Sequence, residues 1–156
     1  MSTGLLIFTL FHVALSLIAL VAGIVVVRGL LQARETGTWL TVFLVTAIAT
    51  SVTGFGFPFV KLLPSHILGI IALVVLAVTL LARYAFALAG AWRAIWVAGL
   101  VASLYFDVFV LIAQAFGKIP GLHQLAPTGS EPPFAIAQGL VLVVFLVIGF
   151  LAVRRR

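Results

Sequence analysis

The chain contains no cysteine. That excludes disulfides, thiolate metal sites, iron–sulfur clusters and thiol redox chemistry. Charge is nearly as scarce: 8% of residues are Asp, Glu, Lys or Arg, and only 3 are acidic. A soluble domain carries about 25% charged residues. No Gly-Lys-Ser/Thr occurs, and Gly117-Lys118 leads into Ile119-Pro120, so there is no phosphate-binding P-loop. Ser16, Ser51, Ser65 and Ser103 stand in no nucleophile elbow, which leaves hydrolysis unsupported. Internal repeats, inverted ones included, are also missing, which argues against a duplicated transporter.

What the sequence has in excess is hydrocarbon. Of 156 residues 65% are hydrophobic, and the mean hydropathy is +1.39. Water could not tolerate that much apolar surface, so the chain reads as an integral membrane protein. Its formal net charge is +6, but the basic residues flank apolar runs rather than forming a patch. That is where membrane topology places them, and nucleic acid is not an expected partner.

Five apolar runs are visible, at about 5–27, 38–57, 65–82, 94–116 and 134–153. Each approaches the ~20 residues that cross ~30 Å of hydrocarbon. In lipid a spanning segment must satisfy its own backbone hydrogen bonds, so each run is expected to be a helix. The polar alternation of a membrane β-barrel is missing. The expected fold is a single all-α transmembrane domain, a bundle of five transmembrane helices. Met1-Ser2-Thr3-Gly4 lacks a basic signal-peptide start, so the first run is expected to be a retained helix.

Orientation follows from the cations. Arg28, Arg34, Arg83, Arg93, Arg154, Arg155 and Arg156 fall on one side, Lys61 and Lys118 on the other. The arginine side is expected to be cytoplasmic, with the N-terminus outside and the C-terminus inside. Ser65 is expected to cap the third helix, and Pro132-Pro133 to open the fifth. The Gly- and Pro-rich outer segment 117–133 is expected to lie over the bundle mouth as a lid.

The polar residues inside the runs gather in the outer leaflet. At 1.5 Å per residue, His12 lies roughly 5–10 Å and Asp107 roughly 10 Å below the outer boundary, and His66 lies at it. Asp107 is the most demanding, since a charge in hydrocarbon costs roughly 3 kcal/mol or more. His12 shares a helix face with Ser16, Ala19 and Gly23, small residues that mark close helix contact. These observations predict a ligand or metal site of His12, His66 and Asp107, supported by Gln114, Gln138, Ser103 and Thr53.

Two imidazoles and a carboxylate suit a divalent metal such as zinc or non-haem iron. His12 and His66 also suit axial ligation of haem b, and the whole set suits a quinone-like small hydrophobic ligand. The bland alternative is interhelical packing, with Asp107 paired to His12. A fourth possibility is an accessory subunit whose polar groups meet a partner membrane subunit or a second copy in a homo-oligomer. Beyond the lipid bilayer, composition decides among none of these, and it leaves catalysis open.

The series Pro64-Ser65-His66-Ile67-Leu68-Gly69, Arg83-Tyr84, Leu104-Tyr105-Phe106-Asp107-Val108-Phe109-Val110, Gln114-Ala115-Phe116 and Ala126-Pro127-Thr128-Gly129-Ser130-Glu131-Pro132-Pro133-Phe134 resembles an uncharacterised family of small multi-pass bacterial inner-membrane proteins. The resemblance covers about residues 64–153. It implies a bacterial inner (cytoplasmic) membrane location and no particular activity. It also implies that Asn serves at the position of Asp107, which favours a hydrogen-bonding role there over a metal.

Overall fold

Each apolar run is helical in the computed structural model, which describes residues 1–155. The elements are α1 (Thr3–Leu31), α2 (Thr38–Gly54), α3 (Pro64–Tyr84), α4 (Trp92–Lys118), α5 (Pro120–Leu125) and α6 (Pro132–Arg154), with no strand among the described residues. Four of them, α1, α3, α4 and α6, are long and apolar enough to cross a membrane. The fifth apolar helix, α2, has 17 residues, about 25 Å at 1.5 Å per residue. This is a helical membrane bundle, and a multi-pass one.

The helix ends have local causes. Ser2 caps α1, its Oγ accepting from the Leu5 N–H at 3.2 Å. α1 runs on through Arg28 and stops where Ala33 turns to positive φ, with the Arg34 N–H closing on the Gly29 carbonyl at 2.9 Å. That is a Schellman-type stop built without glycine. α2 ends at Gly54, ahead of Gly56 and Pro58, rather than at Phe57. The cap of α3 is Leu63 and not Ser65, because Pro64 takes the first helical position, where its missing N–H costs nothing. α6 likewise opens at Pro132, with Glu131 as its cap.

Packing centres on α4, which touches α1, α3, α5 and α6, while α2 lies against α1 and α3. Between helices in lipid there is little hydrophobic drive, so close fit decides. At Gly23 of α1 an added Cβ would lie 2.7 Å from Leu104 Cδ1 and 2.8 Å from Phe43 Cε2. The missing side chain lets α2 and α4 reach α1 together.

The two ends of the bundle differ. The end bearing the arginines holds the tight core, including Val26, Leu30, Phe43, Val97 and Leu100. There Arg155 also donates to the Leu31 carbonyl, tying the end of α6 to the end of α1. The opposite end is held by rings: Phe8 against Phe57 at 5.0 Å, and Phe116 against Phe134 at 5.4 Å. Large apolar side chains cover the outside, densely so along α6, as a bilayer requires.

Candidate functional site

The polar side chains expected in the outer leaflet do lie at the end away from the arginines, but they separate into groups. On the α1–α2 seam, His12 Nδ1 stands 2.7 Å from Thr53 Oγ1. The single Thr53 hydroxyl proton is engaged by the Ala49 carbonyl, 2.7 Å away. The imidazole therefore donates through Nδ1, and Nε2 keeps its lone pair. Phe57 packs edge-on to the ring at 5.2 Å.

His66 has a different setting. Its Nδ1 accepts the Leu63 N–H at 3.0 Å, closing the start of α3. Its ring lies 5.8 Å from that of Phe55 and 4.9 Å from that of Phe59, and the residue is 6% exposed. This histidine folds the 55–63 turn onto its helix.

Among the described residues, no three His, Cys, Asp or Glu side chains come close enough together to hold a metal ion. The set His12, His66 and Asp107 is thus not assembled as a metal centre. Its members belong to the α1–α2 seam, the α3 cap and α4.

Asp107 remains the unusual group. It lies within the apolar α4, and its Oδ2 is sealed from the surface without a hydrogen-bond partner. Gln138 of α6 reaches the same level of α4, its Nε2 donating to the Phe109 carbonyl at 3.0 Å. Its Oε1, like Thr50 Oγ1, is also buried and unpartnered. Orphans of this kind in a protein interior call for a missing partner.

Of the remaining residues, Ser103 is buried and donates to the Gly99 carbonyl at 2.8 Å, which satisfies it within α4. Gln114 is exposed. The 117–133 segment is not plain loop, since α5 interrupts it and packs on α4. An open depression of about 210 Å³ lies against it near Phe116, His123 and Phe134. Glu131 closes the segment, accepting from the N–H groups of Thr128 and Ser130 and from the Thr128 hydroxyl.

A larger concavity lies at the other end. A groove of about 750 Å³ runs between α2, α3 and α4, with Arg34, Arg83 and Arg93 among its walls. Sequence reasoning treated these arginines as topology anchors only. The signal was the gathering of Tyr84, Trp92 and Trp96 around them, but three separate turns had to meet before a groove existed.

No protein-family model matches the chain, and neither a curated protein nor a solved structure does.

Proposed function

We propose that the chain is a multi-pass protein of the bacterial inner membrane that binds a small organic ligand through polar side chains in the outer half of the bundle. Its N-terminus is outside and its C-terminus cytoplasmic, from the excess of arginine at one end. The reading is carried by Asp107 Oδ2, buried and unpartnered within the apolar α4. An unpaired polar atom in hydrocarbon costs several kcal/mol, whether or not the carboxyl is ionised. A ligand donor at that position removes the penalty.

The available groups favour one ligand chemistry. Asp107 Oδ2 of α4 and Gln138 Oε1 of the neighbouring α6 are buried acceptors without partners. A complementary ligand carries hydroxyl or N–H donors on an apolar body, as a phenol or quinol does. The three-ligand metal reading is set aside because His12, His66 and Asp107 do not come together among the described residues.

The test is solvent extraction of the full chain purified in mild detergent, followed by mass spectrometry, for wild type and Asp107→Leu. One compound at about one per chain, lost in Asp107→Leu, is the expected result. A wild-type preparation that yields no compound, with a more stable Asp107→Leu variant, overturns the reading. A Soret band or stoichiometric transition metal overturns it too, as does a tightly co-purifying membrane subunit lost in the variant.

A further inference from the structure

The groove at the arginine end combines a deep apolar floor with a cationic mouth. Along α2 its wall runs from Leu40 to Ile48, about 12 Å at 1.5 Å per residue. The hydrocarbon of one leaflet is roughly 15 Å deep, half of the ~30 Å core. The groove therefore lies along the helices for most of a leaflet. Leu40, Ile48, Leu80 and Leu88 line it as partly exposed apolar residues, with Leu30, Leu44, Val97 and Leu100 sealed beneath them. The first four offer an occupant contact area and no side-chain hydrogen bonds.

The mouth is different in kind. Arg34, Arg83 and Arg93 line it, opposed by the single carboxylate of Glu35. Three cations against one anion leave the rim positive. Arg83 is steadied by the ring of Trp96, 5.0 Å from its guanidinium carbon, with Tyr84 at 6.0 Å. Such cation–π contact fixes where the charge is presented. The backbone is also unusual here: Gly37, Ala87 and Leu88 line the groove, and all have positive φ. Ala and Leu rarely adopt that conformation, and strain of this kind concentrates where a binding shape demands it.

We propose that this groove binds an acidic phospholipid, its phosphate on Arg83 and Arg93 and one acyl chain along the floor between α2 and α4. The site is separate from the polar groups of the opposite half and does not depend on them. A zwitterionic lipid brings its own cation beside the phosphate and so adds no net counter-charge to the rim, and a free phosphate would leave the floor empty. A second copy of the chain brings little anionic surface, with only 3 acidic residues in its sequence. Basic pockets between helices at a membrane face are recognised sites for anionic headgroups.

Native mass spectrometry of the full chain in detergent, titrated with phosphatidylglycerol or phosphatidylcholine, tests the proposal. Wild type is expected to prefer phosphatidylglycerol. Arg93→Gln is expected to weaken that binding about fivefold, the worth of one arginine near a headgroup. Val45→Trp keeps every charge but fills the groove, where Val45 is a wall residue, and is expected to weaken both lipids. Arg28→Gln removes a charge from the last turn of α1, outside the groove, and is expected to change binding less than twofold. Equal losses in Arg28→Gln and Arg93→Gln would reduce the effect to bulk charge and overturn the site. So would unchanged binding in Val45→Trp. Full displacement of phosphatidylglycerol by inorganic phosphate would leave a bare anion site and overturn the lipid assignment.

Discussion

His12 Nδ1 and Thr53 Oγ1, 2.7 Å apart and 41 positions apart in sequence, form a side-chain bond that joins α1 to α2 at the end away from the arginines. Thr53 Oγ1 simultaneously donates to the Ala49 carbonyl, so the bond exists in one direction only, from imidazole to hydroxyl. A double-mutant cycle of His12→Ala and Thr53→Val, read by reversible unfolding in detergent, should show coupling of about 0.6 kcal/mol and at most ~1.7, the range for interhelical hydrogen bonds in membranes. Nitrogen NMR of the His12 ring should find the Nδ1–H tautomer. Additive mutants, or an Nε2–H ring, would show that the pair does not hold the seam.

His66 acts on backbone rather than on another helix. His66→Ala frees the Leu63 N–H and removes the ring between Phe55 and Phe59. The expected loss is about 1 kcal/mol, as for other helix N-caps. Amide exchange should accelerate over residues 63–67 and leave α4 protected. Exchange that rises uniformly through the bundle would show His66 to be part of a global core instead.

The helices were legible because hydrocarbon leaves a spanning chain almost no other choice. His12 could be placed on an inward face from the stripe Ser16, Ala19 and Gly23, and in the structure Ala19 and Gly23 are buried. α5 was not legible, because its six residues are too few for a helical period to show. The role of His66 was within reach: Pro64 marks a first helical position, which puts His66 third, where a side chain reaches back to the cap. The groove was out of reach, since its rim joins residues from 34 to 93 that only the assembled turns bring together. Among the described residues the buried Asp107 Oδ2 has no hydrogen-bond partner, and no periodicity encodes that.

Gly99 sits where α4 crosses α3 most closely. A Cβ there would overlap Thr79, its hydroxyl above all. Thr79 is itself satisfied by donating to the Val75 carbonyl at 2.7 Å. Gly99→Ala is therefore expected to destabilise by about 1–3 kcal/mol, the usual range for overpacking. Thr79→Ala should be mild alone and should recover most of the loss in combination. If the double variant is no more stable than Gly99→Ala, the cost arises elsewhere than at this contact.

Glu131 ties down the turn before α6 and gives it a pH dependence. Desolvation raises its pKa, but together the hydrogen bonds from the Thr128 hydroxyl and from the Thr128 and Ser130 N–H groups outweigh this and hold it below the ordinary glutamate value. A depressed carboxyl contributes stability that is present above its unfolded pKa and is lost as pH falls through the folded one. The 126–131 turn is thus expected to stay ordered at neutral pH and to loosen only below pH 4.5. The Thr128 and Ser130 amide signals report this directly, and their shared midpoint should fall below the ordinary glutamate value. Glu131→Gln keeps an acceptor but cannot titrate, so its amides should show no such transition. A transition that persists in Glu131→Gln would assign the pH dependence to another group, because the carboxylate would then be a bystander to the turn it closes.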